Sequence, residues 1–537
     1  MFTKWRFTLM TGIGLVFILT EACAHTPAPV NPTQAPAATT VPVATTAPVS
    51  TTAPAATKAP AATGPTGEIV VAQTLEPTTL DPNWDTLVLI QNIIANMCDP
   101  LVQFNDKLEI EPVLAESWEI KDPTTYVFRL RKGVKFHNGQ DFTSADVKYS
   151  LEWILNKDNK SKLAGYYSYV DQVETPDDYT AIIRTKTPYG PALGSLTVLF
   201  ITPKATAEKM GRAEFAKHPV CTGAFKFVEW VKDQRVVMEA NEQYWRGAPK
   251  IKKITWRNIQ EDSTRLAELR TGGIDVAIRV PMAQIELLQS DPKLKVLSIP
   301  TTRTKWVTLN TWAKPFSDKR VRQALNYAIN KEEIVQALYK GNAHITGQPY
   351  APAVFGYNPD VKSYPFDPAK AKALLAEAGY PNGFDAVLDI DEPVHVEPSQ
   401  VIVQQLAKIG IKAQANVGDS NQLWEKFLAK KMESMYTMHC NSQFADADQC
   451  SGLHFDSKRR GLYYNSPETD QMIAEAATAA DRNQRKTIYA RLASKLNDEA
   501  PVIFLWELND VYGINKRLQW QPRANELILF WNASLTN

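Results

Sequence analysis

The chain has 537 residues, a formal net charge of +1 and a sequence pI near 7.6. So even a balance gives no footing for a polyanionic partner, and nucleic acid is not an expected one. About 470 residues of ordinary globular composition follow the first segment, a length that suggests two or three lobes rather than one core.

In chain order, the first feature is a short apolar run. Lys4 and Arg6 precede LMTGIGLVFIL at 9–19, which is too short to span a bilayer that needs about 20 residues. Ala22 and Cys23 follow, and residues 1–23 resemble a bacterial lipoprotein signal in which Cys23 would carry the lipid. Thr20 and Glu21 depart from that pattern, so simple cleavage is the alternative. Both readings send the chain outside the cytoplasm. Residues 24–66 are mostly Pro, Ala and Thr, with no large apolar residue beyond Val and almost no charge. Such a segment cannot bury enough surface to offset its ordering entropy, and it reads as a solvated tether. At about 3.1 Å per residue it would reach on the order of 100 Å.

Helix and strand signals then alternate, which makes the class α/β. Residues 68–73, 223–230, 235–240, 306–310 and 502–506 read as strands. Residues 125–136, TYVFRLRKGVKF, alternate as a hairpin turning at Lys132-Gly133, and His137-Asn138-Gly139 makes a second turn. Thr143 with Asp146 predicts a capping box for the next helix. Ser317 is expected to cap a helix carrying Val321, Leu325 and Ala328. Asn330 is expected to cap the one after it, and Asp367-Pro368 opens another that Gly379 closes.

Among the side chains that carry chemistry, four cysteines remain after Cys23: Cys98, Cys221, Cys440 and Cys450. Cys440 and Cys450 are the local pair that a disulfide would join outside the cytoplasm. His439, Cys440, Cys450 and His454 are also zinc-type ligands, though their spacing departs from the two-to-four-residue pairs of structural sites. Free thiols stay open too, and no metal or other cofactor is expected. No GxSxG elbow or HExxH helix is present, and no GxxxxGK[ST] loop for ATP. An enzyme such as a secreted glycosidase is the outside reading.

A series of segments in chain order carries a resemblance. EPTTLDP (76–82), FHNGQDFTSADVKYSLEWIL (136–155), TGAFKFVEW and NEQYWRGAPKIKKITWR (within 222–257), LAELRTGGIDVA, KPFSDKRVRQALNYAINKEEIV and YPFDPAKAKALLAEAGYPNG follow one another, then QQLAKIGIKA and a long C-terminal stretch ending PVIFLW. Together they resemble the extracellular solute-binding proteins of peptide-type ABC importers. That resemblance implies a two-lobed periplasmic-binding-protein-like fold of type II. The first lobe would cover 68–300 with a subdomain at about 97–200, the second lobe 301–512, and 513–537 would return to the first. It implies a monomer that closes on its ligand and hands it to a membrane permease served by separate ATPase subunits.

The same resemblance places the ligand. Peptide binders of this family hold the ligand ammonium with an aspartate in a segment similar to YTMHCNSQFADAD (436–448), where Gln443 takes that place. Asp446 would substitute if the alignment slips. The family's carboxylate-binding arginines fall near Thr437 and Val394, so both clamps look neutral. Trp84, Trp306 and Trp424, with Thr308 and Asn441, are expected to line the cleft. Flat rings beside polar groups suit a peptide backbone or a sugar face, so a peptide-like solute leads and an oligosaccharide is the alternative.

Overall fold

The computed structural model describes residues 64–459 and 463–536, within the second of two units, Ala62–Asn537. The signal segment, Cys23 and nearly all of the 24–66 tether lie outside the described residues. Thr66, its last residue, already belongs to the strand Thr66–Gln73.

An 11-stranded sheet runs through the structure. Its centre is two long antiparallel strands, Leu294–Leu309 and Val502–Asn515. On one side lie Val276–Ala277, Thr66–Gln73, Ile251–Asn258, Arg235–Ala240 and Phe225–Val231. On the other lie Met435–Asn441, Asp385–Ile390 and Lys412–Val417. The short strand Ala343–Ile345 also pairs with Val502–Asn515.

The central pair changes register on the way. Leu294–Pro300 pair with Asn515–Asn509, the ladder breaks between Pro300 and Thr304, and Thr304–Thr308 then pair with Glu507–Val502. Leu294 and Val511 are buried with Ile274 and Leu288 in one apolar cluster. Trp306 and Phe504 are buried with Tyr436 and Tyr489 in another, and Val307 and Ile503 with Leu388 and Leu406 in a third. Each strand therefore leaves one core and enters others. The ladder breaks at 301–303, where Thr301 and Thr302 are buried opposite Leu508, and shifts again between Lys305 and Trp306.

A separate four-stranded antiparallel sheet is built from Ala115–Asp122, Thr125–Leu130, Thr180–Thr185 and Val170–Asp177. The helix Ser144–Leu155 packs on it through Val147, Leu151 and Ile154, all fully buried. Its predicted capping box is present: Thr143 N donates to Asp146 Oδ2 at 2.9 Å. Such a cap contributes about 1 kcal/mol. Asn330 accepts from Glu333 N, and Asp367 accepts from Lys370 N with Pro368 at the first helical position.

Two local expectations need correction. Thr125–Leu130 does not turn back on 134–136; it pairs with 115–122 and 180–185, and Lys132-Gly133 leads into a loop. The alternation read there was real, but the matching partners come from elsewhere in the chain. The cap of the helix Lys319–Ala328 is Asp318, which accepts from Arg320 N at 2.8 Å, not Ser317.

Both remaining cysteine pairs are joined, Cys440 with Cys450 and Cys98 with Cys221. The first rules out the zinc set of His439, Cys440, Cys450 and His454, because neither sulfur is a thiolate. The second, 123 residues apart in sequence, left no local signal.

Candidate ligand cleft

Where the central strands break register, a cavity of about 380 Å³ opens. Thr74, Leu75, Thr86 and Leu89 line it from beyond the end of Thr66–Gln73, while His439, Asn441 and Gln443 line it from Met435–Asn441 and the turn after it. Three strands separate those two in the sheet. Arg303 reaches it from the register break, Arg279 and Glu526 from loops.

Asn441 and Gln443 are on the wall of this cavity. Neither amide is idle. Asn441 Oδ1 accepts from Thr302 Oγ1 at 2.9 Å. Gln443 Nε2 donates to the carbonyl oxygen of Thr86 at 3.0 Å, and the Tyr166 hydroxyl donates to Gln443 Oε1 at 3.1 Å. Gln443 therefore fastens its own turn to two segments on the far side.

Asp446 is not free for an ammonium. It is buried, caps the helix Ala447–His454, and holds Arg485 Nη2 at 2.9 Å from each carboxylate oxygen. It faces a second cavity, of about 870 Å³, together with Arg482 and Phe355.

The aromatic expectations change more. Trp306 is 1% exposed and packs edge-on to His454 at 5.3 Å, inside the core rather than on the cavity wall. Thr308 is fully buried on the same strand. Residues 306 and 308 share one face of a central strand, and that face points into a core. Trp424 stacks on Phe427 with centroids 5.3 Å apart, and Trp84 lies against Trp153 at 6.1 Å. None of these three tryptophans lines the 380 Å³ cavity, and among the described residues no Trp, Tyr or Phe is on its wall.

The charges on the wall were missed. Arg303 bonds to Asp510 and lies 3.5 Å from Glu526. Burial disfavours its charge, but Glu526 and Asp510 outweigh that and hold its pKa above the ordinary guanidinium range. Glu526 is pushed up by burial despite Arg303. Arg279 differs. It is exposed, its backbone sits at φ 54°, and among the described residues no carboxylate lies within the 4 Å of an ion pair. A non-glycine residue held there costs on the order of 1 kcal/mol. The signal for these residues was weak because 279, 303 and 526 are far apart in the chain.

Behind His439 lies a polar cluster. Lys305 Nζ contacts His395 Nε2, and His395 Nδ1 is 3.4 Å from Asp391 Oδ1. Burial pulls the Lys305 pKa down to about 7, with Glu392 opposing. Burial and the Lys305 charge lower both histidines, so the imidazoles are neutral at neutral pH.

A sheet spanned by two shared strands, with a polar cavity at their register break, defines a two-lobed solute-binding protein of type II. The profile of the bacterial extracellular solute-binding proteins, family 5, matches residues 109–461. A glutathione-binding protein, GsiB, of Pectobacterium atrosepticum is 32% identical over 87% of this chain and 94% of its own. Among solved structures, the periplasmic binding protein DppA of Helicobacter pylori in complex with the peptide STSA is similar at TM-score 0.76 and 29% identity, covering 88% of this chain and 98% of DppA. HbpA2 of Haemophilus parasuis is similar at TM-score 0.78 and 27% identity, over 88% and 100%. The chain belongs to the family 5 extracellular solute-binding proteins, the substrate-binding subunits of peptide-type ABC importers. Members of this family bind solutes for transport and are not enzymes. No helix among the described residues is long and apolar enough to cross a membrane.

Proposed function

We propose that this chain captures a short anionic peptide, of the size and charge of glutathione, in the 380 Å³ cavity and delivers it unaltered to its permease. The observation that carries this reading is Arg279, an exposed cation on the cavity wall with no carboxylate within ion-pair distance among the described residues; the buried Glu526 carboxylate feels its charge only from farther off. An arginine fork matches a carboxylate bidentately. The volume lies at the low end of ligand pockets, about 300–1,000 Å³, and suits two or three residues better than a long peptide. Similarity to glutathione-binding proteins supports the same size and charge. The sugar alternative loses its footing, because the rings that suggested it lie off the cavity wall.

Isothermal titration tests it. Glutathione should bind one to one, an oligosaccharide panel should not, and Arg279→Ala should weaken glutathione about tenfold or more. Equal glutathione affinity in wild type and Arg279→Ala would refute the carboxylate role.

The reading extends to the chain's layout. We propose lobes at 68–300 and 301–512, with the subdomain near 97–200 and 513–537 returning to the first. The pairing of Leu294–Pro300 with Asn515–Asn509 supports a chain that comes back to the first lobe at its C-terminal end. We also propose that the protein acts outside the cytoplasm as a monomer tethered through a lipid on Cys23. The short apolar run and the Pro-rich segment after it support this.

A further inference from the structure

One cluster beside the cavity combines side chains to which the peptide proposal assigns no role. Glu392, His395 and His439 bring a carboxylate oxygen and two imidazole nitrogens within 4.8 Å of one another. Glu392 Oε2 lies 3.7 Å from His395 Nε2, and Glu392 Oε1 lies 3.8 Å from His439 Nδ1. Ligands about 2.0–2.1 Å from a tetrahedral ion lie about 3.3 Å apart, so these groups need to close by roughly half an ångström to an ångström and a half. Glu392 has the freedom to do so, being 37% exposed.

The surroundings are those of a built site. The second nitrogen of His395 faces Asp391 Oδ1 at 3.4 Å. Asp391 is itself held, accepting from the Tyr436 hydroxyl at 2.9 Å and from Thr437 Oγ1 at 3.1 Å. A fixed carboxylate behind an imidazole sets the tautomer and turns the other nitrogen's lone pair toward an ion. His439 is on the wall of the 380 Å³ cavity, so an ion held by this set would lie beside the cleft. Three protein ligands with one open position is the arrangement that accepts a donor from a bound molecule.

One group stands in the way. Lys305 Nζ contacts His395 Nε2, in the space an ion would take. Its long side chain must swing aside for the site to fill.

We propose that Glu392, His395 and His439 form a binding site for a divalent transition metal on the cleft wall, with Lys305 as the competing occupant. Two imidazoles and one carboxylate suit zinc or nickel better than calcium or magnesium, which take oxygen ligands. The set shares only His439 with the zinc ligands that the Cys440–Cys450 disulfide rules out.

The test is calorimetric titration of EDTA-treated, dialysed full-length protein with zinc chloride and with nickel chloride. One ion should bind per chain with a dissociation constant on the order of 10 µM or tighter. His439→Ala, at a half-buried position, and Glu392→Gln should each weaken binding at least tenfold. Lys305→Met should bind as tightly as wild type or more so. Asp391→Asn should weaken binding about 10–100-fold, as outer carboxylates do. Substoichiometric binding in wild type, or affinity unchanged in His439→Ala with an unchanged melting temperature, would overturn the site. Glutathione titration in EDTA reads the peptide proposal separately, so either can fail alone.

Discussion

Gln443 Nε2 donates to the Thr86 carbonyl across 3.0 Å, and this bond ties the turn after Met435–Asn441 to the segment that follows Thr66–Gln73 at the cavity rim. With the Tyr166 hydroxyl donating to its Oε1, Gln443 holds its turn to two segments distant in the chain. A hydrogen bond of this kind contributes about 0.5–1.5 kcal/mol net. Gln443→Ala should therefore shift the ligand-free protein toward the open state. Small-angle scattering should show a larger radius of gyration for the variant, and ligand affinity should fall several-fold.

Trp306→Ala should act on stability first. A buried tryptophan truncated to alanine costs about 3–5 kcal/mol, and here it leaves His454 and Phe455 facing a void. Urea unfolding should show that loss, while protein that remains folded should bind ligand within a few-fold of wild type. A selective loss of affinity at unchanged stability would put Trp306 back in the site.

Arg485→Gln should be destabilising by about 3–5 kcal/mol, because it leaves the buried Asp446 carboxylate without its cation. Asp446→Asn in the same background should recover part of that loss. Chemical denaturation of the two single variants and the double variant measures the coupling.

Two buried groups set opposite pH dependences. Burial raises Glu507 from about 4.5 to about 8. Its contribution is full below about pH 4.5 and is lost as pH rises toward 8, where the folded chain must bury a charged carboxylate. Lys305 is lowered from about 10.5 to about 7, so its contribution is present above 10.5 and lost as pH falls toward 7. Scanning calorimetry should find the decline between pH 5 and 8 reduced in Glu507→Gln. The rise between pH 7 and 10 should be reduced in Lys305→Met.

The two disulfides close loops of very different length, with sequence separations of 123 and 10 residues. Loop-closure entropy makes the longer one worth about 2 kcal/mol more. Cys98→Ala/Cys221→Ala should accordingly lose more stability in urea than Cys440→Ala/Cys450→Ala.

What could be read from the chain alone was local or repeated. Thr143 with Asp146, Asn330 and Asp367-Pro368 all start helices where expected, because a cap and its partner lie within four residues. The family was legible because its blocks recur in order along nearly the whole chain. The Cys440–Cys450 pair was within reach for the same reason of nearness.

Tertiary structure alone decided the rest. Thr125–Leu130 found its partners at 115–122 and 180–185, since alternation says that a strand has two faces but not which strand lies beside it. Trp306 and Thr308 turned inward because the central strands are covered on both sides, so side-chain type could not distinguish cleft from core. Arg279, Arg303 and Glu526 meet only because two long strands cross between cores and break register where they do. Charge at a binding site depends on which distant segments converge, and that convergence is a property of the packed sheet.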